Sequence, residues 1–463
     1  MKAPVLSLFA ALVLSGCASL APDHERPVAP VPDEWGELTA SDDAVTPADE
    51  INWQSFFTEP KLVAVIDQAL DNNRDLRVAM LNVERTREQY RIQRGEVFPA
   101  LDVGVGQNAQ RIPAELSQNN ESTVMRQYSA DLGVGWELDL FGRIRNLSDA
   151  ALAEFFASQE NQRAAQISLV SEVATLWLTL GADRELLAIA QQTHEAQRQS
   201  HELTQGSFDL GMASALELNQ VRSSLERARA DVAHFSALVE QGHNALEQIV
   251  GAPVAEELLP EGLTKQVTLE QLPAGVPSVV LVRRPDILAA EHRLRAANAN
   301  IGAARAAMFP RISLTSSIGT ASSSLSGLFE SGSRTWTFMP QVSLPIFQGG
   351  SLLAGLRTSQ VDREIAVAEY EKAIQAAFRE VADVLAERAT LAERLDALRE
   401  LVAASSESHR LSEARYHNGI DSYLGVLDAQ RQLYSAQQEL VNVELIETTS
   451  LVTLYKALGG GWK

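Results

Sequence analysis

The chain has 463 residues, with 39 Lys and Arg against 60 Asp and Glu, a formal charge of -21 and a single Cys. So negative a balance excludes nucleic acid as a partner, because a phosphate backbone is held by an excess of Lys and Arg; it suits a solvated surface or a channel wall that favours cations. One thiol excludes a disulfide within the chain, and the length, enough for two or three domains, is read as one unit built twice because the sequence repeats.

At the start, Met1-Lys2 leads into the apolar run Val5 to Leu14, which is too short to span a bilayer and has the flanks of a signal peptide, residues 1–16. Leu14-Ser15-Gly16-Cys17 resembles a bacterial lipobox, which implies cleavage before Cys17 and a covalent lipid there, diacylglycerol plus an N-acyl chain, as the only attached group. Ala18 stands where an Asp would resemble an inner-membrane retention signal, so the outer membrane is favoured. Residues 17–50 carry Pro22, Pro27, Pro30, Pro32 and Pro47 and read as an extended tether.

A first structural repeat is expected over 51–250, a linker over 251–277 whose fold is not legible, and a second repeat over 278–463. Helical spacing runs through Leu62, Ile66, Leu70, Leu76, Met80 and Val83 to the Gly95 region, where Phe98-Pro99 breaks it. The period then changes to two. Strands are predicted near 97–110 and 127–141, where Leu101, Val103, Val105, Leu132, Val134, Trp136 and Leu138 alternate with Gly and acidic residues. The second half repeats the pattern near 310–320 and 334–347, weakened by Pro340 and Pro345, which donate no ladder hydrogen bond.

Long helical tracts follow each strand pair, roughly Arg143 to Gln205 and Leu352 to His417, with narrow apolar stripes such as Ile167, Val170, Ala174, Trp177 and Leu391, Leu395, Leu398, Val402 that resemble coiled-coil seams. Each tract is read as one arm of an αα-hairpin. Its tip lies near 206–214 in the first repeat and 416–422 in the second, where Gly211 and Gly419 stand as helix C′ residues and Ser214 and Ser422 as N-caps. At an offset of about 208 residues Phe208 faces Tyr416, Leu216 faces Leu424 and Leu225 faces Leu433.

Four strands, each apolar on one face, cannot close a membrane barrel, which needs about eight; closure by two, three or four chains around a rotational axis is required. Gly and Thr on the other face suit a water-filled lumen, and Trp136, Trp336, Phe141 and Phe347 are placed as an aromatic belt at the membrane interface. A soluble two-sheet sandwich is the competing architecture.

Trp136 to Asn146, Arg284 to Phe309, the tip from Arg415 to Leu433 and the closing Leu454 to Trp462 resemble the OprM-type lipoproteins of the TolC-like outer membrane efflux family, the NodT branch of RND tripartite pumps. The resemblance covers nearly the whole chain from Cys17. It implies an α+β membrane protein: a homotrimer whose twelve strands form one transmembrane β-barrel in the bacterial outer membrane, continuous with a long periplasmic α-helical barrel. Implied partners are outer membrane lipid, a periplasmic membrane-fusion adaptor gripping the tips at Gly211, Ser214, Gly419 and Ser422, and an inner-membrane RND transporter. By the same resemblance Asp428 matches a gate aspartate at the closed periplasmic end, and Tyr416 and Glu217 match residues that tie neighbouring helices shut. Gly425 stands where some relatives carry a further gate aspartate and Asp421 where some carry an arginine.

Plainer roles compete at each position. Glu217 completes a capping box with Ser214, Asp428 pairs with Arg431 on a solvated helix, and Tyr416 is tip packing. No catalytic or metal constellation is present: there is no phosphate loop, zinc pair or nucleophile elbow, and His194 and His201 lie seven apart on one helix face without a carboxylate or cysteine partner there, so no enzymatic activity is expected. The function implied is a passive exit duct for drugs and other small toxic compounds. Two rivals are the outer membrane duct of a type I protein secretion system and a lipid-anchored coiled-coil scaffold without a channel.

Overall fold

The computed structural model describes residues 19–32, 50–117, 120–264, 267–268 and 278–462. The signal segment and Cys17 lie outside these residues. Contacts divide the chain into two compact units, the first with the chain up to Val28, Asn82–Gln159 and Ala289–Tyr370, the second with Ala29–Leu81, Glu160–Leu288 and Glu371–Lys463. Each unit therefore draws on both halves of the sequence.

In the second unit a four-residue helix α1 (Trp53–Phe56) precedes α2 (Pro60–Asn72), which starts with Pro at N1 and buries Leu62, Val65, Ile66 and Ala69 on one face. Asn73 ends α2 and starts α3 (Arg74–Gly95): its Oδ1 accepts from the Leu76 N–H at 2.7 Å, and its Nδ2 donates to the Ile249 carbonyl at 2.7 Å. The single helical pattern read from Leu62 to Gly95 is thus two helices. Its outer part is not core, since Val78, Met80, Leu81 and Ile92 are exposed.

The first unit holds the whole sheet. Strands β1 (Ala100–Ile112), β2 (Thr123–Leu138), β3 (Arg311–Ser322) and β4 (Arg334–Ser343) pair antiparallel in that order, so β1 and β4 are both edges. The register sorts side chains cleanly by face. Leu101 pairs with Val134, Val103 with Leu132, Leu132 with Ile318, Ile318 with Trp336, and Trp136 with Leu314, all on one face. The other face carries Asp102, Gly104, Gly106, Asp131, Gly133, Ser317 and Thr337. Among the described residues nothing covers the outer part of the apolar face: Val103, Val105 and Trp336 are 78%, 78% and 75% exposed. The sheet differs from expectation at its ends. β2 begins at Thr123 because it pairs with the full length of β1, and β4 stops at Ser343, two residues before Pro345, while Pro340 is accepted because β4 is an edge strand.

Two helices of 67 residues follow the strand pairs, α4 (Arg143–Asp209) and α7 (Ser351–His417); at 1.5 Å per residue each is about 100 Å long. They return as α5 (Ala215–Val250) and α8 (Tyr423–Ala457). In the first unit α6 (Pro285–Ala306) lies between them, Ala296 and Ala299 against Ala150 and Ala153 of α4, and Leu294 and Ala297 against Ala366 of α7. The small residues allow close approach of the helices, which favours dispersion contact. Residues 19–28, extended as the Pro content predicts, are nevertheless pinned to this unit: Ser19 Oγ donates to Asn146 Oδ1 at 2.7 Å, Arg305 donates to the Leu20 carbonyl at 2.9 Å, and Arg26 grips Glu291. Burial disfavours the Glu291 charge, but Arg26 and Arg295 outweigh it and hold the carboxyl below its usual range.

In the second unit the apolar stripes read as seams are buried. Val170, Ala174 and Trp177 are at most 1% exposed, and Leu391, Leu395 and Leu398 pack on Val443 of α8. Trp177 donates to the Leu258 carbonyl at 2.9 Å, and Tyr455 stacks on Phe56 at 4.0 Å while its hydroxyl donates to the Ile51 carbonyl at 2.6 Å. The described part of the linker is a 3-10 turn at Glu256–Leu258 and a bridge pairing Thr268 with Phe57, with Val254, Leu259 and Val267 buried. Arg284 is also buried in this unit, donating to Asp286, Glu380 and the Ala457 carbonyl.

Candidate functional site

The two hairpin tips close α4 on α5 and α7 on α8 by the same turn. In the first, the Gly211 N–H donates to the Phe208 carbonyl at 2.8 Å and the Met212 N–H to the Ser207 carbonyl at 2.8 Å; in the second, Gly419 donates to Tyr416 at 2.9 Å and Ile420 to Arg415 at 2.9 Å. This is a Schellman closure with Gly at C′, where φ is +74° and +70°. A side chain there would strain the turn. Leu210, Met212, Leu216, Ile420 and Leu424 are all more than half exposed, so both tips are apolar knobs on solvated helices.

The caps after the turns differ. Ser214 Oγ accepts from the Glu217 N–H at 3.1 Å, whereas Ser422 makes no side-chain cap bond. The reciprocal half of the capping box is not formed. Glu217 Oε1 instead accepts from the Tyr416 hydroxyl at 3.2 Å, which ties α5 of one hairpin to α7 of the other. Tyr416 also meets Tyr423 edge-on at 5.1 Å, beside buried Val221, Val426 and Leu427. Packing and tie are therefore the same residue. Burial first, and Glu217 second, push the Tyr416 hydroxyl pKa up, so it remains a donor through the neutral range.

Asp428 is exposed one helical turn inside α8 and accepts from Gln432 Nε2 at 3.1 Å, so its partner is Gln432 rather than Arg431. Gly425 faces open space. One contact was missed in the sequence: Arg415 clasps Asp421 across the second turn, Nη2 to Oδ1 at 3.1 Å beside a shorter Nε bond, and lowers the Asp421 pKa. The signal was there, opposite charges six residues apart around a Gly turn. The first tip has Ser207 and Ala213 at the matching places and no such clasp.

On the sheet, Trp136 donates to the Val97 carbonyl at 3.0 Å and stands toward the helix-proximal end of the apolar face, while Trp336 shares a row with Leu132 and Ile318 nearer the loops. Those rows are four residues apart, about 13 Å. Phe141 is not on the open face but stacks on Phe309 at 4.8 Å. Among the described residues no cluster of His, Cys, Asp and Glu has the makings of a metal site.

Residues 65–252 and 276–460 match the profile of the family described as outer membrane efflux protein. The chain is 47% identical over 467 residues to the probable efflux pump outer membrane protein TtgC of Pseudomonas putida, covering 100% of this chain and 96% of that one. A crystallised membrane protein from Pseudomonas aeruginosa superposes with a TM-score of 0.89 at 43% identity, over 96% of this chain and 98% of the other. The open-state MtrE outer membrane channel of Neisseria gonorrhoeae superposes with a TM-score of 0.86 at 38% identity, over 96% and 99%.

Proposed function

Since the chain belongs to the outer membrane efflux protein family, we propose that it is the passive outer membrane duct of a tripartite RND-type pump, carrying drugs and other small toxic compounds out of the cell. One observation carries the reading: a four-stranded sheet with an uncovered apolar face, a glycine-rich polar face and two open edges. In lipid, open edges leave backbone groups unpaired at a cost of several kcal/mol each, so the sheet must close with other copies. Three chains give twelve strands, within the range of membrane barrels, with Trp136 and Trp336 on the lipid-facing side as part of an interface belt. The exposed Val78, Met80, Leu81, Val361 and Ile365 fit burial in the same trimer. Lipid on Cys17 supplies a second anchor.

The tips are the end that a periplasmic adaptor engages, through Gly211, Ser214, Gly419, Ser422 and the apolar knobs beside them. Tyr416 and Glu217 hold the hairpins together, and a threefold ring of Asp428 gates the entrance. Adaptor contact opens the gate by favouring an arrangement in which the Tyr416 tie is broken. An inner-membrane transporter supplies the energy.

The test is made in intact cells. Removing the protein should raise the accumulation of a fluorescent drug-pump substrate, and supplying it again should restore the low level. Loss of a secreted protein with unchanged drug accumulation would replace this reading with the secretion duct. Release of the intact chain from membranes by salt would favour the scaffold.

A further inference from the structure

Between α4, α5 and α8 of the second unit lies a cavity of about 600 Å³ that the duct reading does not use. Arg227, on its wall, is twelve residues beyond Ala215, so the cavity is roughly 18 Å from the first tip. Its volume falls in the range of small-molecule sites, which span about 300 to 1,000 Å³.

Two buried polar atoms on its wall lack a hydrogen-bond partner, Gln197 Oε1 and Ser224 Oγ, and Tyr434 Oη stands beside Asp231 and Gln438. Gln197 is only 4% exposed, and its Nε2 is committed to Gln430 Oε1. Exchanging the oxygen and nitrogen of both amides leaves the same count, one unpaired atom of Gln197. Burying such groups unpaired is costly, so the site needs an occupant with polar atoms. Tyr434 has its pKa pushed up to about 12, by burial first and then by Asp231, and is a hydroxyl donor at neutral pH. Arg227 and Arg431 also line the cavity, and among the described residues neither has a carboxylate within ion-pair distance, although acidic residues outnumber basic ones 60 to 39 in the chain. With Asp231 the lining carries a single net positive charge.

We propose that this cavity binds a small anion that carries its own hydroxyl donors, such as a polyhydroxy carboxylate or a protonated phosphate. Arg227 and Arg431 hold the anionic end, Ser224 and Tyr434 donate to it, and Gln197 Oε1 and Asp231 accept from the ligand's hydroxyls. The requirement for both ends sets hydroxylated anions apart from simple ones. Because Arg227 lies on α5 of one hairpin and Arg431 and Tyr434 on α8 of the other, an occupant bridges the hairpins and favours the packing observed.

Titration calorimetry on the full-length protein in detergent, at constant ionic strength with chloride as the replaced ion, tests the site. The probes are gluconate and inorganic phosphate, with acetate as the control without a hydroxyl. Saturable binding of gluconate or phosphate is expected, weaker by about tenfold or more for acetate and for Arg431→Gln. Arg431 is exposed, so that variant keeps the fold; Ser224→Ala, checked by its melting temperature, is the second. No saturable binding of either probe at millimolar concentration, or equal binding by wild type and Arg431→Gln, would overturn the proposal. Neither outcome bears on the drug-accumulation test of the duct.

Discussion

Replacing Tyr416 by Phe removes one oxygen and leaves the ring where it is, against Tyr423 and Val221. What is lost is the hydroxyl bond to Glu217 Oε1 at 3.2 Å. A hydrogen bond to a charged acceptor contributes about 1.5 to 3 kcal/mol, but this one is long and Glu217 is only partly buried, so about 1 kcal/mol per chain is the better figure. That is roughly fivefold in the equilibrium between tied and untied hairpins. If three tips must release together, the shift is about 3 kcal/mol, more than a hundredfold in open population. The assay is conductance of the purified protein in planar bilayers without adaptor, comparing the open fraction of wild type and Tyr416→Phe. Glu217→Gln keeps an acceptor and should fall between them. An open fraction for Tyr416→Phe within about twofold of wild type would refute the reasoning and return Tyr416 to mere packing.

Gly251 ends α5 at φ +77°, with the site of a Cβ 2.6 Å from the Asn72 carbonyl; Gly251→Ala should cost on the order of 2 kcal/mol or more, read as a lower melting temperature. Arg284→Met strands the Ala457 carbonyl, but Asp286 and Glu380 are 43% and 49% exposed and can rehydrate, so a loss of about 2 kcal/mol is expected rather than the 3 to 5 of a sealed pair, with Arg284→Lys between. At the second tip the Arg415 clasp lowers the Asp421 pKa, so its contribution is present above the unfolded value near 3.9 and is lost as pH falls through the folded one. Amide exchange at Ile420 should thus be insensitive to pH-dependent unclasping through the neutral range once intrinsic exchange is corrected for, and Asp421→Asn should speed it at pH 7.

Elements with a short period were readable in the sequence. Alternation about Leu101, Val134 and Ile318 named both faces of the sheet before its register was known, and the Gly turns at 211 and 419 followed from the repeat. Bonds between distant residues were not. Arg26 and Glu291 are 265 residues apart, and nothing in a Pro-rich segment announces that it will be pinned to a helix. Glu217 illustrates the limit at the tip: Ser214 and Glu217 have capping-box spacing, yet the carboxylate turns to Tyr416, a choice made by the packing of two hairpins. The division into units was equally hidden, because helices of 67 residues carry each repeat through both. Even so, the strand pairs and hairpins fall in the order in which the repeat lays them down.

The most direct test of the duct uses the single cysteine at position 17, whose lipidation would leave the mature chain without another thiol. A His417→Cys substitution places one at the end of α7, beside the second tip, where a photocrosslinker can be attached in intact cells and the captured protein identified by mass spectrometry. The account predicts capture of a periplasmic adaptor belonging to a drug pump. Capture of a secretion adaptor, or of no adaptor with the chain confirmed in the outer membrane, would contradict it.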